Sequence, residues 1–249
     1  MRRLAAALTE NRRGRLAAAA YRAGVHIAIV TFDGFNELDS LIALGILNRV
    51  RATDEPELRV SIASPTATVT SMNGAVLHAQ ATLDDAVAAD VVLVGSGIRT
   101  REVVADPALM GALQFDPTRQ LIGAQCSGAL VLAKLGLLGD VPACTDLTTK
   151  PWVVEAGVRV LDQPFFAAGN VATAGGCLSS QYLAAWVITR LFGLDAAASA
   201  IHYVAPVGEK AAYVERALGN IQPYLPAAVE TTPSDAAAAG LVAGTSPGV

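Results

Sequence analysis

The 249-residue chain is poor in the residues that most often announce a site. It has three cysteines, Cys126, Cys144 and Cys177, an odd and widely spaced set that is neither a disulfide framework nor a zinc-ligand pattern. Its three histidines, His26, His78 and His202, are scattered, so no metal and no cofactor is expected. No run approaches the ~18 apolar residues that a bilayer crossing needs. Positive charge is not in excess either. The net charge of −4 argues against a general nucleic-acid binder. With no disulfide framework and no membrane span, a reducing cytoplasm is the default location.

What the chain does have is apolar mass, 53% of its residues, much of it alanine. That is enough for one large α/β domain with a closely packed interior. The two ends differ from the middle. Residues 1–24 carry six arginines against one acid, Glu10, so this stretch is at +5 and the remainder at −9. The segment "NRRGRLAAAAY" evokes a twin-arginine signal, but its apolar stretch is shorter than a signal core, and a short extension is the preferred reading. From Pro226 the chain is rich in Ala, Pro, Ser, Thr and Gly, which predicts a low-complexity tail. The expected organisation is an Arg/Ala-rich extension over 1–24, one domain over 25–225, and the tail over 226–249.

Between those ends, apolar β-branched runs alternate with helical periodicity. Strands are predicted over 25–32, 58–64, 90–97, 121–124 and 170–176, with shorter ones over 141–147 and 158–162. Helices are predicted over 36–50, 101–114, 128–138 and 178–191, the first with Leu38, Leu41, Ile42, Gly45, Ile46 and Val50 on one face. Residues 67–80 read as a hairpin turning at Asn73-Gly74. Strands apolar on both faces and separated by helices predict a doubly wound α/β sandwich with a mostly parallel sheet.

In such a sheet, ligands bind beyond the carboxyl ends of the strands. Three stretches fall there: "DGFNELDS", "VGSGIR" and "AQCSGA". Cys126 sits on a strand-to-helix turn, where a helix amino end would lower its thiol pKa. The alternative is a buried, inert cysteine. Cys144 lies within a predicted strand and suits packing. Cys177 opens a helix after Gly175-Gly176 and either packs or lines the same cavity. Asp33 suits a turn and Glu37 a solvated helix start. Asp39, flanked by Leu38 and Leu41, is either a simple first-turn acid or a partly buried carboxyl that stays protonated beside a thiolate. Phe165, Phe166, Trp152 and Tyr182 read as core more readily than as pocket lining.

Taken together, "AQCSGALVLAKLGLLGD", "VTFDGFNELDSLIALGIL", "VVLVGSG" and "VATAGGCLSSQYLAAWVITRLFG" resemble, in order, the sequence blocks of the ThiJ/PfpI superfamily, over about residues 25–205. The resemblance implies a flavodoxin-like α/β fold, a nucleophile elbow at Cys126 and a homodimer. The L-D dipeptide, the C-[ST]-G elbow and the late G-G helix start are most similar to the isonitrile hydratase branch. By that resemblance Cys126 is the nucleophile and Asp39 the acid/base. Ser127 stands where threonine is usual. The backbone N–H groups of Ser96 and Ser127 form an anion-stabilising pocket, and Gly95 permits its tight turn. Asp146 takes a place often held by histidine, which disfavours Cys-His chemistry. Gly95, Ser96, Asp146 and Cys177 are the expected substrate-binding residues, and the substrate is a small molecule, an isonitrile or a similar electrophile. The rival expectation is a non-catalytic redox-sensing or small-ligand-binding protein.

Overall fold

The computed structural model describes residues 24–50 and 58–226. The arginine-rich segment and the tail therefore lie outside the described residues, apart from Gly24 and Pro226. Six strands form one sheet: β1 (Val25–Val30), β2 (Leu58–Ala63), β5 (Val91–Val94), β6 (Leu121–Gln125), β7 (Phe165–Ala168) and β8 (Val171–Ala174), in the order β2-β1-β5-β6-β8-β7. All neighbours are parallel except β7, which runs antiparallel to β8 at one edge. The central strands VVLV and LIGAQ are buried at every position. Apolar side chains on both faces leave a parallel sheet no solvent side. The small hairpin of β3 (Thr68–Thr70) and β4 (Val76–His78) stands apart, turning through Gly74 at φ 90° as the Asn-Gly signal predicts.

Helices cover both faces. On one side lie α1 (Glu37–Leu47), α7 (Ser180–Phe192), α8 (Leu194–Val204) and α9 (Lys210–Ile221), packed with Ile27, Ile29, Leu93 and the buried Trp186. On the other lie α2 (Leu83–Ala88), α3 (Thr100–Ala105), α4 (Pro107–Ala112), α5 (Gly128–Lys134) and α6 (Lys150–Glu155), around Val92, Ile122, Leu130 and Val153. Phe165, Trp152 and Tyr182 serve these cores, and Phe166 packs against Tyr224; Phe165 meets Trp186 at a tilt and Tyr224 edge-on.

Several local expectations are corrected. The helix expected over 101–114 is two, broken where Asp106 caps the second and Pro107 takes its first position. The helix expected over 128–138 ends at Lys134, because Gly136 adopts φ 72° and the Leu137 N–H turns back to Leu132. Of the strands expected over 141–147 and 158–162, only a bridge between Ala143 and Val160 forms. In α1 the buried face is Asp39, Ser40, Ala43, Ile46 and Leu47, while Leu38 is half exposed. The helix is rotated so that a carboxylate, not a leucine, faces the sheet.

Close backbone approach sets two glycines apart. A Cβ on Gly128 would sit 2.5 Å from the Val94 carbonyl oxygen, whereas one on Gly45, within α1, meets nothing within 4 Å. Gly128→Ala should therefore destabilise by about 2–3 kcal/mol, since backbone cannot yield as a side-chain tip can. Gly45→Ala should stabilise by about 0.5–1 kcal/mol. Urea unfolding of the two variants checks both signs.

Candidate active site

The chain leaves β6 at Gln125 and enters α5 at Gly128, so two residues must reverse its direction. Cys126 does so at φ 44°, the one non-glycine residue with positive φ among the described residues. Such a conformation costs of order 1–3 kcal/mol and persists only where its surroundings enforce it. Here they do. The Cys126 N–H donates to the Ala174 carbonyl on β8 (2.8 Å), and its carbonyl accepts from the Thr145 hydroxyl (2.8 Å) and the Ala129 N–H (3.2 Å). The Gly176 N–H acts on its sulfur, favouring the ionised form.

Asp39 reaches the same place from α1. Asn36 caps this helix, its side chain accepting from the Leu38 N–H (3.1 Å), which puts Asp39 in the first turn facing inward. Asp39 is fully buried. Its carboxylate accepts from the Ser96 hydroxyl at 2.5 Å and the Ser40 hydroxyl at 3.3 Å. Its backbone carbonyl accepts from the Gln125 amide at 3.1 Å. The Asp39 carboxylate, the Cys126 sulfur and the Cys177 sulfur lie within 4.8 Å of one another. Two soft sulfurs and a carboxylate could hold a thiophilic cation, but they also suffice for proton transfer without one.

Burial pushes the Asp39 carboxyl up to about 6, against the hydrogen bonds from Ser96, Cys126 and Ser40 that lower it. The thiol corrects the expectation of a depressed Cys126. Burial pushes it well above its ordinary value, and the negative charges of Asp39, Cys177 and Asp146 push the same way; the Gly176 N–H opposes them. Cys126 and Asp39 thus titrate as a pair, with one proton between them at neutral pH.

The other expected residues are placed as follows. Gly95 touches α1: a Cβ there would meet the Ser40 hydroxyl at 2.8 Å. Ser96 holds Asp39 through its side chain, and the N–H groups of Ser96 and Ser127 have no hydrogen-bond partner among the described residues. The Ser127 hydroxyl turns away, to the Thr100 hydroxyl (2.7 Å) and the Gly97 N–H (3.1 Å). Asp146 is half-buried; its carboxylate accepts from the Thr148 and Thr149 N–H groups, and its charge reaches Cys126. Cys177 accepts from the Asn36 amide at 3.0 Å. Cys144 is fully buried, its thiol pushed up to about 12 by desolvation, and it lies outside the cluster of Asp39, Cys126 and Cys177, which suits packing. The histidines are elsewhere: His26 bonds Ser61 and Arg59, His78 bonds Thr68, and His202 is exposed on α8. Gln125 and Asn36 were not foreseen. The signal for Gln125 was available: a lone polar residue ending an otherwise apolar strand.

The raised Asp39 value fixes the sign of a stability effect. The folded state favours the protonated carboxyl, so this group's contribution is full below about pH 4 and is lost as pH rises through about 6. Relative to Asp39→Asn, the wild type should lose up to about 3 kcal/mol of unfolding free energy between about pH 4 and pH 8. Denaturant unfolding of the two proteins across that range measures it.

Comparison with known proteins agrees with this architecture. No curated protein sequence matches the chain. Among solved structures, a ThiJ/PfpI family protein from Pseudomonas syringae is 17% identical, with a TM-score of 0.64, covering 82% of this chain and 90% of its own. An oxidised DJ-1 from Toxoplasma gondii is 19% identical, with a TM-score of 0.62, covering 73% and 98%. An AraC family transcriptional regulator from Pseudomonas putida is 17% identical, with a TM-score of 0.59, covering 73% and 100%. At such identities the likeness is one of fold. The sequence profile of the DJ-1/PfpI family, however, matches residues 25–190, from the first strand through most of α7, and the chain therefore belongs to that family.

Proposed function

We propose that the protein is a cysteine-dependent hydro-lyase that adds water to an isonitrile, giving an N-substituted formamide. The observation that carries this reading is the proton partner of Cys126: a buried carboxyl with its pKa near 6, and no histidine in the cluster. A thiol paired with an acid can attack a carbon that must receive a proton in the same step. The terminal carbon of an isonitrile is such a centre. It is also slender enough to approach end-on a cysteine that is only 4% exposed.

In this scheme Asp39 takes the Cys126 proton as sulfur bonds the isonitrile carbon, then delivers it to that carbon, leaving a thioimidate. The carboxylate next deprotonates a water that attacks the same carbon, and Asp39 passes that proton to the substrate nitrogen. Collapse of the adduct's hydroxyl to a carbonyl breaks the C–S bond, returns the hydroxyl proton to the Cys126–Asp39 pair and releases the formamide. The unpaired N–H groups of Ser96 and Ser127 are candidates to hold the developing charge, with Gly95 shaping their turn. Asp146 and Cys177 would line the approach. Leu38, Ile98, Leu147 and Leu178 are each at least half exposed and lie within two residues of Asp39, Ser96, Asp146 and Cys177 respectively. These exposed apolar side chains favour a small apolar substrate and burial of apolar surface in a homodimer. No described helix is long and apolar enough to cross a membrane, which fits the cytoplasmic setting proposed here.

The alternative is a sensor or ligand-binding protein that turns nothing over. A formamide-forming assay with a panel of isonitriles separates the two: turnover abolished in Cys126→Ala supports the hydratase, and no turnover of any isonitrile overturns it. Asp39→Asn should lower kcat/KM by about 10²- to 10⁴-fold. In the wild type kcat/KM should rise with pH through about 6, as the pair loses the first of its two protons, and this limb should vanish in Asp39→Asn. A flat profile in both would contradict the assigned role.

A further inference from the structure

Cys177 is the one member of the cluster that the hydration scheme uses only as lining, yet its placement is that of a reactant. Its sulfur lies within 4.8 Å of the Cys126 sulfur, although 51 positions separate the two in sequence. It opens a 3₁₀ turn over Cys177–Ser179, directly after Gly176, whose N–H acts on the Cys126 sulfur. The residue before Cys177 is therefore itself a neighbour of Cys126. The Asn36 amide donates to the Cys177 sulfur at 3.0 Å, which holds that sulfur in place beside the cluster. Cys177 is half-buried where Cys126 is buried, so small oxidants and reductants meet the pair from its side. Cys144 is outside the cluster and fully buried.

We propose that Cys126 and Cys177 form a hydroperoxide-driven dithiol/disulfide couple, in which Cys126 is oxidised first and Cys177 is the resolving cysteine. In the first step the Cys126 thiolate attacks the distal oxygen of a hydroperoxide. An S–O bond forms and the O–O bond breaks; the sulfur is oxidised to a sulfenic acid, and the departing alkoxide or hydroxide takes the proton held by Asp39. In the second step the Cys177 thiolate attacks the sulfenyl sulfur. An S–S bond forms, the S–O bond breaks, and hydroxide leaves with the Cys177 proton as water. Two thiols and one hydroperoxide thus give one disulfide, one alcohol or water, and one further water. Closing the sulfurs to bonding distance, about 2.05 Å, requires movement of the two side chains toward one another. The consequence is protective: resolution stops Cys126 short of the sulfinic acid, from which thiols do not recover it. This inference needs only a nucleophilic Cys126 and stands whatever substrate that residue serves.

The test is intact-mass spectrometry of the full chain after titration with hydrogen peroxide, followed by peptide mapping. The wild type should lose the mass of two hydrogens, map to a Cys126–Cys177 link within one chain, and recover about nine-tenths of its thiols with dithiothreitol. Cys177→Ser should instead gain the mass of two oxygens on Cys126, with less than about a tenth recovered. Cys177→Ala, which removes any polar group at that position, should behave the same way. A wild type that gains two oxygens as readily as Cys177→Ser, a link through Cys144 or between two chains, or no reaction at all would each overturn the proposal. Because the readout is mass and not turnover, any of these results leaves the hydratase reading to its own assay.

Discussion

Everything at the carboxyl end of this sheet is arranged around a carboxylate removed from water and set against a sulfur. Desolvation is the dominant force on both groups: it raises Asp39 and Cys126 together, and their mutual repulsion ensures that they do not ionise together. The surrounding structure follows from accommodating that pair. Ser96 and Ser40 supply the donors that keep a buried carboxylate tolerable. Gly95 leaves room for Ser40 beside β1, and the Gln125 amide ties α1 to the strand that carries the cysteine.

The site is held in an unfavourable state by a favourable frame. A cysteine at positive φ and a buried acid each oppose folding by amounts that would matter in a small domain. Both are set between two continuous apolar layers, one around Trp186, Ile27 and Ile29, the other around Val92, Ile122 and Leu130. The elbow is further clamped by β8 and Thr145. Stability spent at such a place is the usual signature of function rather than of folding.

Much of the fold was legible because its strongest signals are local. The runs VHIAIV and VVLV can hardly be other than buried strands, Asn73-Gly74 dictates a hairpin, and the order of strands and helices implies a parallel sheet. Cys126 and Asp39 were legible through their neighbours in sequence and through family resemblance. What escaped depends on three dimensions. The direction of Asp39 could not be read from α1, whose hydrophobic pattern favours Leu38 facing inward. The position of the thiol before a helix predicts an acidic group, but the depth of burial and the negative charges around it reverse the sign. The meeting of Cys177 with Cys126 is a long-range contact that no spacing encodes, and Asn36 acquires its second role, as donor to that sulfur, only once α1 is docked.

The claim that a single proton is shared between Asp39 and Cys126 is tested most directly by carbon NMR of the protein labelled at its aspartate carboxyls, titrated with pH. The account predicts one aspartate with a midpoint of about 6, absent in Asp39→Asn and moving upward in Cys126→Ala as the thiol's hydrogen bond is lost. A carboxyl at residue 39 that titrates in the ordinary aspartate range, unmoved by loss of the sulfur, would contradict it.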